Sequence, residues 1–421
     1  MLPTKEPSSQ TKLPPPASIW TVLPRDLLEE ISGHLRDVAD YVRFHAVCRP
    51  WRKAAPSRLL SPASTRPRFL PWLTVLCKDR FLHVPVNYGC ISSGKKTSSD
   101  GYYCDGVVLP GASSSTGGNE NLVVSAQGTA AWLFTAHPEP TMVDILTGTR
   151  LPRLPTDTKT YQWMHTSCGI VFGDGTVFMY GFVWDRHSFD YTSTFTGAIL
   201  RTGDAAWKPV KGNLALTESS HLSFAYHGRK ILACDGVQFS LLNLDFEGGW
   251  INSRPERDLR VDATYNQYCY IFESHGELMR ATVLVEKEYL RRGSSGDDPT
   301  CALSVVVHSM EGVDGDGTIR WVASDGQSLS DRVLFLGSPV SFTADAAHLG
   351  IRGGCAYFVY CSRVFKYSLI DHEAHLLERL RPWWSSGNVC MWLQPRPAIA
   401  PISCDRDRDD GDTGVTGYII E

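Results

Sequence analysis

Residues Trp20–Pro56 read WTVLPRDLLEEISGHLRDVADYVRFHAVCRPWRKAAP. Leu23-Pro24 opens the stretch, and proline suits the first turn of a helix because its missing N–H would be an orphan there. Leu27, Leu28, Ile31 and Leu35 then recur at helical spacing, which predicts one apolar face with Asp26, Glu29, Glu30 and Arg36 left to water. The early negative charges suit the helix dipole. Phe44, Val47, Cys48 and Trp51 form a second seam at i, i+3, i+4 and i+7, with Arg43, Arg49 and Arg52 turned away. Pro50 should break or kink it, so two or three short helices are expected. Some forty residues of this kind bury too little apolar surface to be stable alone, and the unit needs a partner to pack on.

The order and gaps of Leu23, Pro24, Leu27, Ile31, Leu35, Phe44, Val47, Cys48, Trp51 and Arg52 resemble an F-box. The resemblance implies that Leu23, Pro24, Leu27, Ile31, Leu35, Val47, Cys48 and Trp51 form a surface, or the core beneath it, that docks to the Skp-type adaptor of a cullin-RING ubiquitin ligase. An ordinary helical hairpin packed on the next domain is the alternative for the same residues.

The remainder of the chain is bounded by composition. With 421 residues, 43% of them hydrophobic and 20% charged, it is globular and long enough for two or three domains. A net charge of −4 gives no reason to expect nucleic acid as a partner or an anionic membrane. No apolar run approaches a membrane span. Residues 1–19 are rich in Pro, Ser and Thr and lack the apolar region of a signal peptide, so a disordered lead is expected. Twelve cysteines are scattered with no Cys-x-x-Cys pair, which predicts reduced thiols in the cytoplasm or nucleus and no zinc site. Cys234, Cys269 and Cys355 sit in apolar runs and are expected to behave as small hydrophobes.

Beyond the helical tract (20–58) and a Pro- and Ser-containing linker (59–71), the period changes to two. Sixteen short β-rich runs follow, from Trp72–Cys77 to Val364–Leu369, many separated by Asp-Gly or His-Gly turns such as Asp174-Gly175, His227-Gly228, His275-Gly276 and Asp325-Gly326. The tract 72–400 is therefore expected to be all-β. It is large for one sandwich, and blades of about 40–50 residues would divide it into a β-propeller of six to eight. Residues 401–421 carry a mixed-sign charge run and are expected to be a solvated tail, with Val415–Ile420 a candidate closing strand.

Three further stretches, VDILTGTRLPRLP (Val143–Pro155), YIFESHGELMRATVLV (Tyr270–Val285) and the run opening at Leu329 with DRVLFLG at Asp331–Gly337, resemble landmarks of a plant F-box family whose C-terminal region is a KIB-type β-propeller. The resemblance implies a substrate-recognition adaptor that performs no chemistry, with the helices on the Skp-type adaptor, cullin reached through it, and a protein substrate on the propeller. Two rivals stand beside it: an F-box regulator that does not lead to degradation, and a propeller that is itself a small-molecule receptor or enzyme.

Motifs that would favour chemistry fall short. GCISSGKKT (Gly89–Thr97) puts Lys96 where the magnesium-binding hydroxyl of a phosphate loop should stand. Gly312–Ala323 lacks the first carboxylate and the bidentate glutamate of a calcium loop, so a hairpin is expected. DHEAHLLE (Asp371–Glu378) spaces its histidines three apart instead of four and reads as solvated edge residues. Trp383, Trp384 and Trp392 are expected to be packing. No cofactor or metal is called for.

Overall fold

The computed structural model describes residues 23–35, 38–53, 69–77, 80–84, 107–108, 121–135, 141–145, 168–184, 193–210, 222–234, 239–243, 251–253, 264–288, 299–313, 319–380 and 390–394. Pro24 precedes α1 (Arg25–His34), as the Leu-Pro start predicts, and α2 (Val38–Ala46) and α3 (Arg49–Lys53) follow. The second seam is interrupted between Ala46 and Arg49, with Pro50 in the first turn of α3. The single apolar face expected of α1 is divided. Leu28 is buried, whereas Leu27 and Ile31 are 45% and 41% exposed. Leu27 points about 100° from Leu28, and Ile31 is rotated about 60° from Leu28 toward Leu27, so packing centred on Leu28 and Ser32 leaves Leu27 and Ile31 at its open margin.

The covered side is polar at its centre. Ser32 Oγ lies 2.8 Å from His45 Nε2, and His45 Nδ1 lies 2.7 Å from the Trp51 carbonyl oxygen, so one buried imidazole links α1, α2 and α3. Tyr41 packs edge-on against Phe69 and joins the core under the first sheets.

Strands make up the rest, in five sheets among the described residues. The first combines β1 (Trp72–Cys77), β2 (Arg80–Val84) and β3 (Val107–Val108) with β24 (Cys390–Leu393), in the order β24-β1-β2-β3. The second holds two antiparallel units, β4 (Asn121–Ser125), β5 (Ala131–Thr135), β6 (Thr141–Asp144) and β7 (Cys168–Val171), β8 (Val177–Trp184), β9 (Ser193–Leu200), β10 (Lys208–Val210), joined by parallel pairing of β4 with β7. Gly169 permits that junction, because a Cβ there would overlap Met179 Sδ and meet Val123 at 2.9 Å. The third is the meander β11 (Ser223–His227), β12 (Lys230–Cys234), β13 (Phe239–Asn243), β14 (Ile251–Ser253). The fourth is the meander β15 (Tyr265–Ser274), β16 (Glu277–Glu286), β17 (Leu303–Val313), β18 (Ile319–Ser324). The fifth holds β19 (Arg332–Phe335), β20 (Phe342–Asp345), β21 (Cys355–Tyr360), β22 (Arg363–Ser368) and β23 (Glu373–Arg379), with β19 parallel to β21.

The expected His-Gly turns close tight hairpins. Gly228-Arg229 and His275-Gly276 both have two successive residues at positive φ, the geometry that matches strand twist in two-residue turns. Gly312 and Val313 end β17 and residues 319–323 belong to β18, paired in register Val313↔Ile319, while residues 314–318 lie outside the described residues. The DHEAHLLE run is not merely solvated edge: most of it is β23, paired with β22 through a bulge. Trp392 is buried and its indole N–H donates to the Leu336 carbonyl at 3.1 Å. The first sheet joins β1 to β24, from opposite ends of the tract; Val415–Ile420, Gly89–Thr97, Trp383 and Trp384 lie outside the described residues.

Cys234, Cys269 and Cys355 are buried as expected, but Cys269 is more than a small hydrophobe. Arg280, only 3% exposed, donates from Nε to Cys269 Sγ at 3.2 Å and lies over the Phe239 ring. Burial opposes a thiolate at Cys269; the contact with Cys234 and the Arg280 charge prevail and bring it down to about 7.

Candidate functional site

Two surfaces stand out. The first is the outward side of the helices. Leu27 and Ile31 lie one turn apart on α1, and Val47, just after α2, is 61% exposed. Pro24 is exposed, Leu23, Cys48 and Trp51 are half-buried, and Leu35 packs against the core. The expected docking residues thus divide: Leu27, Ile31 and Val47 present apolar surface to solvent, Phe44 holds Trp51 at a ring distance of 4.4 Å, and Leu35 belongs to the interior.

The second surface is a cleft of about 370 Å³ where six stretches of chain converge. Ala126 and Gln127 come from the β4–β5 turn, and Phe172, Gly173 and Asp174 from the β7–β8 turn. Phe224 to Tyr226 come from β11, Phe272, Glu273 and His275 from the end of β15, Ser341 to Thr343 from the start of β20, and Gln394 from the residue after β24. All five sheets contribute. Among the described residues no strand ladder joins neighbouring sheets at these edges; single backbone bonds, such as Phe224 N–H to the Pro339 carbonyl at 3.0 Å and Gln394 N–H to the Gly128 carbonyl, and side-chain hydroxyls link them. Ser223 Oγ accepts from Ile271 N–H at 2.9 Å, Ser338 Oγ donates to the Leu222 carbonyl at 2.8 Å, and Thr343 Oγ1 and Arg332 Nη1 both donate to Ser274 Oγ at 2.9 Å.

Asp174 is the best-anchored carboxylate of the cleft. Tyr226 donates its hydroxyl to Oδ2 at 2.7 Å and the Thr176 N–H reaches Oδ1 at 2.9 Å. Burial opposes ionisation, but these donors outweigh it and hold the carboxyl below its ordinary value. Burial, then the bond to Asp174, push the Tyr226 phenol up to about 12. The Tyr226 ring also stacks on Phe172 at 4.6 Å, which fixes its direction. Glu273 stands 3.6 Å from His227, and His275 stands 3.8 Å from Asp331. Asp331 is held low by its bond to Arg332. Gln394 is only 5% exposed, and its Nε2 is buried with no acceptor among the described residues.

None of these cleft residues was singled out in the sequence as a site. Its only local trace is the Asp-Gly and His-Gly turns, which mark hairpin ends without saying that the ends meet. Among the described residues no cluster of His, Cys, Asp and Glu could hold a metal ion, and no helix is long and apolar enough to cross a membrane.

A family model described as KIB1-4 beta-propeller matches residues 109–392, about two thirds of the chain. No curated protein matches it. Among solved structures it is similar to a glycoside hydrolase family 43 arabinoxylan arabinofuranohydrolase from Bacillus subtilis, at 12% identity and TM-score 0.29, covering 60% of this chain and 56% of that one. A lignostilbene dioxygenase from Pseudomonas brassicacearum matches at 12% identity and TM-score 0.31, covering 69% and 65%. A GH93 alpha-L-arabinofuranosidase of Fusarium graminearum matches at 9% identity and TM-score 0.31, covering 63% and 80%. The chain spans less than two thirds of the length of the first two of these.

Proposed function

Because this chain belongs to the KIB1-4 beta-propeller family, we propose that it is a two-part adaptor whose N-terminal helices bind a Skp-type protein of a cullin-RING ubiquitin ligase and whose β-propeller, of six to eight blades, holds a protein substrate. The observation that carries the reading is the division of the helical unit. Its covered side buries Leu28, ties α1 to α2 through Ser32 and His45, and joins the core of the sheets through Tyr41, while Leu27, Ile31 and Val47 are left bare. Large apolar side chains exposed at i and i+4 are the anchors that helix-in-groove recognition uses, and burying each fully is worth about 1.5–3 kcal/mol.

In this reading the chain performs no chemistry and works in the cytoplasm or nucleus. It raises the effective concentration of substrate beside a ubiquitin-charged enzyme carried by its partners. The cleft electrostatics support binding over catalysis. A general acid needs a carboxyl pushed up toward neutrality, whereas Asp174, which lines the cleft, is pulled down and acts as a fixed anion.

Co-purification of the full chain with a Skp-type adaptor, beside Leu27→Asp/Ile31→Asp and Val47→Asp variants, tests the reading. Stoichiometric capture by the parent chain, lost in the variants while their melting curves stay unchanged, is the expected result. A parent chain that fails to bind, or variants that bind as well as it does, overturns the adaptor role.

A further inference from the structure

We infer that the cleft at the convergence of the five sheets recognises an extended peptide segment bearing lysine or arginine. This rests on the adaptor reading for the source of the segment, a protein substrate, and adds the chemistry of recognition. Three observations combine. Among the described residues the cleft is lined by the carboxylates of Asp174 and Glu273 and by no lysine or arginine. Arg332 is bonded to Asp331 and Ser274, and Arg201 and Arg229, whose charges act on the Tyr226 hydroxyl, are not among the described residues that line the cleft.

The remaining wall is aromatic, from Phe172, Tyr226, Phe272 and Phe342 among others. An aromatic wall beside carboxylates suits a lysine or arginine side chain, whose aliphatic stem packs on the rings while its charged head meets the carboxylates. Asp174 stays ionised because Tyr226 and the Thr176 N–H hold it so, and its charge is in place before any ligand arrives.

The third observation separates a peptide from a bare cation. Gln394 Nε2 is a donor buried at the cleft without an acceptor, and a buried unpaired donor is costly. A metal ion or a polyamine brings no acceptor, whereas a peptide brings a carbonyl with every residue. About 370 Å³ lies at the small end of the ~300–1,000 Å³ range of ligand pockets, room for one or two side chains and their backbone.

The test uses the purified full chain without any adaptor, so that its outcome is independent of Skp binding. The probe is a capped, fluorescein-labelled peptide Gly-Ser-Arg-Lys-Arg-Ser-Gly, read by anisotropy, against the same peptide with three glutamates and against spermine as competitor. Saturable binding of the basic peptide is expected, at least about tenfold weaker for the acidic one. Glu273→Lys should weaken it by about tenfold or more and Glu273→Gln by about two- to fivefold, as suits a half-exposed charge. Gln394→Ala should weaken it about fivefold while leaving the melting temperature of the free protein unchanged or higher, since the amide it removes has no partner there. Equal binding of the two peptides, competition by spermine as strong as by unlabelled peptide, or affinity unmoved by Glu273→Lys and Gln394→Ala would each overturn the proposal.

Discussion

Replacing Ser223 by alanine removes one oxygen atom and should cost the protein a measurable share of its stability. Ser223 is fully buried on β11, and β15 stands at the inner edge of its sheet, paired only with β16. Among the described residues no strand forms a ladder on the free edge of β15 at Ile271; β11 lies beside it, and Ser223 Oγ accepts from Ile271 N–H at 2.9 Å and donates to its carbonyl at 3.4 Å. Alanine leaves the buried N–H unpaired, at a cost of about 1–3 kcal/mol. A central figure of about 2 kcal/mol corresponds to roughly a 30-fold change in an equilibrium constant. Urea unfolding followed by tryptophan fluorescence, with hydrogen exchange read at the Ile271 amide, should show a lower midpoint and exchange faster by about that factor. The amide of Val283, in the interior strand β16, should change far less. Ser223→Thr, which keeps the hydroxyl, should retain most of the stability. An unchanged midpoint together with unchanged exchange at Ile271 in Ser223→Ala would refute the idea that side-chain hydroxyls stand in for missing ladder bonds between sheets.

Three other outcomes follow from the packing. Leu28→Ala should destabilise the helical unit by about 2–5 kcal/mol and Leu27→Ala by less than about 0.5 kcal/mol, a contrast that protease susceptibility near residue 35 would read. Cys269 has a folded pKa of about 7 against an ordinary 9.0, so the unfolded chain binds more protons between those values, and stability falls as pH drops from 9 toward 7. Urea midpoints at pH 7, 8 and 9 should show that slope in the parent chain and lose it in Cys269→Ala; above pH 9 the buried Cys168 and Cys390, pushed up to about 11 and 12, work the other way. Gly353→Ala would drive a Cβ into the backbone carbonyl of Ser330, which cannot swing aside, and should lower the melting temperature by several degrees in calorimetry.

Strand identity was legible where strands alternate. Trp72–Cys77, Ala131–Thr135, Lys230–Cys234, Arg332–Phe335 and Cys355–Tyr360 are read to the residue, because apolar positions of period two are bounded by turn residues with a defined backbone preference. β23 was missed because its side chains are half-buried and charged, a pattern set by edge position and invisible in composition. β10 and β14, three residues each, offer too short a period to detect. In α1 the leucine spacing announces a helix but cannot say which of two adjacent leucines is buried; that depends on what packs against the helix. The cleft was illegible for a related reason. Its carboxylates Asp174 and Glu273 are about a hundred residues apart, and only the inward convergence of all five sheets makes them neighbours.

The pairing of β24 with β1 also has a consequence for biosynthesis. Trp72 meets Leu393 and Val75 meets Cys390, partners separated by roughly three hundred residues, so β1 is translated long before the strand that covers its edge. Tyr41, Phe69, Trp72, Met391 and Leu393 share one core, which means the helices cannot seat fully until that late strand leaves the ribosome. A nascent chain stopped short of Cys390 would expose an open sheet edge and a loosely held helical unit, the marks by which chaperones and proteases recognise unfinished protein. β24 thus makes assembly of the N-terminal platform a report that translation has passed Leu393.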